Sequence, residues 1–380
     1  MVASAAATRW YAGATVPRLS AANARIRGRV SLQRLSERAD LVHHIAHQSL
    51  VVRGAFSFEK MVRPSIYGLT GGFVLPQADW SPVTNEGRVL AYGLAVDARA
   101  TTRALGGNPE RGDFILRVDN PVRLHLDRRV ISIGTSDNWY HFILDYLPRL
   151  IAVIELGLID DGWSVALGLG RAGLFKAVTP LFGLSDDQII WLEDDRAHFL
   201  PRALYLSNFN QVEGALHPLT VRLLKTIFLS QNGHPDEMSP KRIFVSRAHV
   251  GRRRLLNEED LHAGLKQRGF KIIHPEFMSL IDQVTTFRNV RDIVGVHGAG
   301  LVNFIWANQV DRLFEISYAD LGSEHPTQDP VFARIIRSFG GRHRFFRATS
   351  SETVSLGDHN SDFTIDPTRF FTALDAFLSK

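Results

Sequence analysis

The chain has 380 residues, 45% of them hydrophobic and 22% charged, which excludes a disordered protein and is long for one core, so two domains are the default. It contains no cysteine, which excludes a disulfide scaffold and any thiolate metal site and fits a reducing compartment. A net charge of +5, from 44 Lys and Arg against 39 Asp and Glu, is too small and too dispersed to point to nucleic acid, and no apolar run reaches the ~18 residues of a membrane span.

Residues 1–50 read as an N-terminal basic extension with helical character and no core pattern. They lack the basic start and long apolar core of a secretory signal, so a cytoplasmic location is expected. Arg25, Arg27, Arg29, Arg34 and Arg38 fit either a solvated helix face or a peripheral contact with the anionic inner membrane face. His43, His44 and His47 have metal-like spacing without a nearby carboxylate, which favours a solvated helix. A first α/β domain is expected over residues 51–235. Leu50–Phe56, Val89–Val96, Phe114–Val118 and Val130–Ile133 alternate with Gly, Pro and Asn and read as strands. A helix follows Ser136 and Asp137 and runs over Asn138–Leu158, with a kink or break at Pro148. Trp163–Leu169, Ile189–Leu192 and Ala203–Ser207 read as strands, and Leu174–Phe182 and Pro218–Leu229 as helices. Ser230–Pro240, polar and rich in breakers, is the linker.

A second, Rossmann-like domain is expected over 236–350. Strands Arg242–Ser246, Lys271–Ile273, Ile293–Val296, Arg312–Ile316 and Arg344–Arg347 alternate with helices Glu258–Arg268 (capped by Asn257), Ser279–Arg288, Leu301–Trp306 and Val331–Phe339. That alternation predicts a parallel, doubly wound sheet, which binds ligands at the carboxyl ends of its strands. Residues 351–380 read as a C-terminal tail and helix.

The most informative stretch is Val294–Gly300, in which a strand meets His297-Gly298-Ala299-Gly300 and then a helix start. Such a turn aims backbone N–H groups and a helix dipole at an anion. Its glycines allow positive φ and close backbone approach, and His297 adds a titratable ring. Arg247 ends the first strand of this domain and Glu315 ends the fourth, so three candidates share one sheet edge. Ser246 and Arg247, with Arg252, Arg253 and Arg254 in the loop beyond, offer guanidinium forks that match phosphate oxygens. Glu315 could accept hydrogen bonds from ribose hydroxyls. In the first domain Asp137, His141 and Asp145 are four apart and share one helix face. A carboxylate-flanked His suits a general base, and Asp137 or Asp145 could take that role instead.

No Asp-x-Asp occurs, and Glu193-Asp194-Asp195 reads as a solvated turn, so no metal site is expected. Neither a Walker P-loop nor a Gly-x-Ser-x-Gly elbow is present. Three ordered motifs remain: Asn138-Trp-Tyr-His141-Phe-Ile-Leu-Asp145-Tyr-Leu-Pro148-Arg149, then Ser246-Arg247 with Arg253-Arg254 and Asn257-Glu258, then His297-Gly-Ala-Gly300-Leu-Val-Asn303. Over about Gly134 to Ile316 the sequence resembles glycosyltransferase family 61, whose bacterial members include capsular polysaccharide biosynthesis proteins. The resemblance implies a GT-B architecture, α/β, with two Rossmann-like domains facing across a cleft. It implies an acceptor side at 51–235 and a nucleotide-sugar side at 236–350. It also implies inverting, metal-independent transfer from a nucleotide sugar, a UDP-sugar being the leading candidate, to a glycan or lipid-linked hydroxyl, with no further cofactor. On that reading His141, Asp145 and Asp137 are catalytic. Ser246, Arg247, Arg253, Asn257, His297, Gly298, Ala299, Gly300, Asn303 and Glu315 bind the donor. A nucleotide-sugar epimerase, or a non-catalytic nucleotide-sugar-binding module, are the rival classes.

Overall fold

The computed structural model describes residues 50–55, 66–74, 82–84, 113–118, 122–123, 128–136, 138–169, 172–193, 198–206, 220–221, 223–225, 239–317, 331–349, 352 and 361–379. The Arg25–Arg38 cluster, the His43–His47 group, the strand expected at Val89–Val96, Asp137, Asp194 and Asp195 lie outside them. The chain forms two compact units, Met1–Glu213 and Gly214–Lys380. The division falls before the expected linker because a helical turn at 223–225 packs onto the second unit. There Lys225 donates to the Ala307 carbonyl at 2.7 Å and sits 5.1 Å from the Phe339 ring centroid. No helix among the described residues is long and apolar enough to cross a membrane.

In the first unit β1 (Leu50–Ala55) pairs antiparallel with β4 (Asp113–Val118). The main sheet contains β2 (Ile66–Val74), β3 (Pro82–Thr84), β6 (Arg129–Gly134), β7 (Trp163–Gly168), β8 (Ile189–Leu192) and β9 (His198–Leu206), in the order β3-β2-β9-β6-β7-β8. The short β5 (Val122–Arg123) pairs with β9. Strands β9, β6, β7 and β8 run parallel, while β2 and β3 are antiparallel additions. Strand β6 thus has β7 on one side and β9 on the other, so the sheet's switch point lies between β6 and β9. The segment after β6 opens with Trp139–His141 in α-helix, widens into a π-helix over Phe142–Tyr146, and continues as α1 (Leu147–Glu155). Pro148 explains the widening. It has no N–H for the Leu144 carbonyl and its ring would press on that carbonyl. The chain therefore loosens before the proline, and Leu147 N–H reaches back to Phe142. The irregularity expected at Pro148 thus takes the form of a π-helix ending two residues before it, and the α-helix runs on through the proline. Helix α2 (Ala172–Val178) follows β7.

The second unit is a five-stranded, all-parallel sheet. Its strands are β10 (Arg242–Val245), β11 (Lys271–Ile273), β12 (Asp292–Val296), β13 (Arg312–Ser317) and β14 (Arg342–Arg347), ordered β11-β10-β12-β13-β14. Helices α3 (Glu259–Gln267), α4 (Leu280–Phe287), α5 (Val331–Ser338) and α6 (Pro367–Leu378) alternate with the strands and follow the last one. One core joins Leu261 and Leu265 of α3, Phe314 and Phe346 of the sheet, and Phe370, Leu374 and Phe377 of α6. The C-terminal helix is therefore part of this unit, not an appendage. Asp292 holds the amino ends of three strands together, bound to Arg242 at 2.9 Å and Arg312 at 2.8 Å. The carboxyl ends are left for other work. The order places the switch point between β10 and β12, where the rule for open α/β sheets puts a ligand.

Candidate active site

Both strands at that switch point end in a motif singled out from the sequence. After β10, Ser246 and the Arg247 backbone are fixed by one buried carboxylate. Glu258 accepts from the Ser246 hydroxyl, and from Arg247 N–H at 3.1 Å. Ser246 Oγ in turn accepts from Ala248 N–H at 3.1 Å. The Arg247 guanidinium folds back under its own loop. Nη2 donates to the Arg252 carbonyl at 2.8 Å and Nε to the Arg253 carbonyl at 3.4 Å. Arg253 adopts a left-handed φ of 55°, a conformation unusual for a residue with a Cβ. The loop is clamped from outside. Arg254 donates from Nη2 and Nε to one oxygen of Asp362, at 2.6 and 3.0 Å, and from its backbone N–H to the other at 2.8 Å, and Phe363 N–H donates to the Arg254 carbonyl.

Arg247 is 9% exposed, and among the described residues no carboxylate lies within ion-pair distance of it. Burial, and then the neighbouring charges of Arg253 and Arg252, lower its pKa to about 10. A guanidinium removed from water and set beside like charges is an unfinished ion pair, and an anion would complete it.

The turn after β12 meets it. A Cβ on Gly298 would stand 2.0 Å from Arg247 Nη1 and 2.7 Å from Cζ, so only glycine lets the guanidinium lie against the turn. Close approach, and not positive φ, is the reason for this glycine: Gly298 has an extended φ of 170°, and Gly300 also lacks positive φ. Ala299–Trp306 forms a 3-10 helix, not the α-helix expected from Leu301, with Leu301 through Trp306 all buried. It is apolar apart from Asn303, and eight residues is long for a 3-10 helix.

His297 is partly exposed at this edge. Its Nδ1 bonds one oxygen of Glu315, whose other oxygen bonds His343 Nε2 at 2.7 Å. Glu315 is completely buried; burial alone would raise its pKa, but the two histidine hydrogen bonds outweigh that and lower it. The expected ribose contact by Glu315 is therefore corrected: the carboxylate has no exposed surface and both oxygens are taken. It is placed to orient His297. The sequence reading missed His343, because its partner lies 28 residues earlier on the neighbouring strand and no motif marks it.

Two further candidates move from ligand to scaffold. Asn303 is fully buried; its Nδ2 donates to Gln283 at 2.6 Å and to the Gly300 carbonyl at 3.0 Å, and its Oδ1 accepts from Trp306. Asn257 does not cap α3. Glu258 stands at the cap with helical dihedrals, and the Asn257 amide exchanges two hydrogen bonds with the Ile365 backbone, at 2.8 and 3.1 Å. Both asparagines brace the loops that carry Arg247 and Gly300. The residues 361–366 that engage Arg254 and Asn257 were expected to be a tail.

In the first unit the helix start after β6 brings two of its three candidates together. Asn138 caps the turn by accepting from Tyr140 N–H at 2.9 Å. His141 Nδ1 lies 2.8 Å from Asp145 Oδ2; Asp145 is buried within the π-helix and the His141 side chain is 20% exposed. Such π segments recur at functional sites. A buried carboxylate on Nδ1 fixes the orientation of the ring. Arg149, also buried, stacks over the Tyr146 ring at 5.0 Å.

Comparison with known proteins bears on these residues. The family model described as Glycosyltransferase 61 matches residues 139–312, from the turn that carries His141 to the first residue of β13. No curated protein matches the sequence. Among solved structures the chain is similar to the bacterial iron-containing dodecameric glycosyltransferase TibC from enterotoxigenic E. coli. The identity is 11%, the TM-score 0.27, and the likeness covers 54% of this chain and 60% of that one. The chain thus spans less than two thirds of that relative. The matched span includes both the His141–Asp145 pair and the Arg247–Gly298 seat. Over residues 139–312 the chain is similar to glycosyltransferase family 61.

Proposed function

We propose that the protein is an inverting, metal-independent glycosyltransferase of GT-B type. It moves a sugar from a nucleoside-diphosphate sugar, with uridine diphosphate as the preferred leaving group, to a hydroxyl of a glycan or lipid-linked acceptor in polysaccharide biosynthesis. One observation carries the reading: the buried Arg247 guanidinium, short of a counter-charge, lies on Gly298 at the switch point of a parallel sheet. A diphosphate supplies that missing charge. In the step itself, the acceptor oxygen attacks the anomeric carbon from the face opposite the diphosphate. The bond from that carbon to the phosphate oxygen breaks, and its electron pair leaves with the diphosphate. His141, oriented by Asp145, takes the acceptor proton. Arg247 and the 298–300 turn hold the charge that develops on the leaving group. Cytoplasmic location and peripheral contact through the N-terminal arginines belong to the same proposal.

The test is transfer from a panel of nucleotide sugars, with acceptor and with EDTA present, followed by the anomeric configuration of the product. Transfer that survives the chelator with inverted configuration is expected. Activity lost to EDTA and restored by manganese would overturn the metal-free mechanism. Epimerisation of the donor without acceptor would move the protein to another class.

A further inference from the structure

Phe277 is 72% exposed, the most exposed of the large apolar side chains among the described residues. A single exposed phenylalanine means little by itself. This one is set among rings and held on a rigid support. The His249 ring lies 5.1 Å from it and the His274 ring 6.3 Å, and the two imidazoles are 5.1 Å apart. Phe277 ends a 3-10 turn, Pro275–Phe277, between β11 and α4. The turn closes with Phe277 N–H to the His274 carbonyl and Met278 N–H to the Pro275 carbonyl, both at 3.1 Å. Buried Gln283 donates to the carbonyls of Pro275 and Met278 at 3.2 and 3.1 Å.

That glutamine also accepts from Asn303, which is tied to the Gly300 carbonyl. Pro275 Cγ lies 3.8 Å from where a Gly300 Cβ would stand. The ring cluster and the glycine turn of the anion seat are therefore one braced piece. On its other side the cluster joins the arginine loop, because His249 is two residues beyond Arg247 and their Cα atoms are within about 7 Å. An exposed aromatic face is thus fixed beside a cationic seat, at the carboxyl ends of β11 and β10 on one side of the switch point. A ligand with an anionic group and a flat apolar face matches both.

We propose that Phe277, flanked by His249 and His274, is the stacking platform for the nucleobase of the donor, while Arg247 and Gly298 take its diphosphate. The proposal rests on the donor class given under the proposed function and adds where the base binds. Stacking on an aromatic side chain contributes to affinity for any base, because every base has a π-face. The imidazoles supply edge hydrogen bonds that tell bases apart.

Calorimetry with UDP, GDP and inorganic pyrophosphate tests this on the full chain and on Phe277→Ala, Phe277→Trp and Arg247→Ala. The wild type should bind at least one nucleotide more tightly than pyrophosphate. Phe277→Ala should lose that advantage, about tenfold, and keep pyrophosphate affinity, while Phe277→Trp keeps the nucleotide. Arg247→Ala should weaken all three ligands. Unchanged nucleotide affinity in Phe277→Ala overturns the platform, and so does a rise confined to the acceptor KM. If no nucleotide and no pyrophosphate binds the wild type, the donor reading itself fails, a result distinct from a silent Phe277.

Discussion

Removing the Arg247 guanidinium separates a binding role from a structural one, because the two make opposite demands on stability. In Arg247→Ala the lost charge-assisted contact to a diphosphate is worth roughly 1.5–3 kcal/mol, which is about a 10- to 100-fold loss of nucleoside-diphosphate affinity. The unliganded fold should behave differently. Burial and the nearby Arg253 and Arg252 lower the Arg247 pKa to about 10, so the charged side chain is held at a cost to the folded state. Its hydrogen bonds to the Arg252 and Arg253 carbonyls offset part of that cost. Deleting the side chain therefore removes a strained charge along with two bonds to loop carbonyls, and apo stability should change by less than about 1 kcal/mol or rise. The assay is paired: calorimetry with UDP, and urea unfolding of the apo protein. Binding should collapse while the unfolding midpoint stays put. A variant that loses several kcal/mol of stability, with nucleotide affinity per folded molecule unchanged, would show that Arg247 is a structural strut.

Gly298→Ala puts a Cβ where Arg247 Nη1 and Cζ lie, so the guanidinium must leave the turn; diphosphate affinity should fall as far as in Arg247→Ala, and wild-type affinity would refute the contact. His141→Ala should lower turnover about 10²–10⁴-fold while donor affinity holds, and Asp145→Asn should lower turnover less and alter the pH profile. Near-normal turnover in His141→Ala with a dead Asp145 variant would move the base to Asp145. Glu315→Gln tests the buried histidine pair through pH. The folded-state pKa of Glu315 is depressed, so its contribution is present above the unfolded value of about 4.3 and is lost as pH falls through the folded one. The variant should be less stable than the wild type at pH 7, with the gap narrowing below about pH 4; an equal gap at both ends would show that ionisation of Glu315 is irrelevant.

The sequence by itself determined the second unit almost element by element. Apolar runs such as Ile243–Val245 and Ile293–Val296 suit only strands buried on both faces, and amphipathic segments between them suit helices, so periodicity carried the parallel sheet. It also located Arg247, His297 and Gly298, since strand ends in such a sheet are where ligands bind. Tertiary structure decided what each of these residues does. Gly298 is a glycine because a side chain 51 positions earlier lies against it, which no local pattern encodes. Asn303, Asn257 and Glu315 sit inside ligand-like motifs, yet burial and long-range partners make them braces: Gln283 for the first, Ile365 for the second, two histidines for the third. His343, Phe277 and the 361–366 clamp went unnoticed for the same reason. Local sequence sets backbone periodicity and strand ends, whereas a side chain's partner is fixed only when distant segments pack, and at this edge the partners separate a residue that can hold a ligand from one that holds its neighbour.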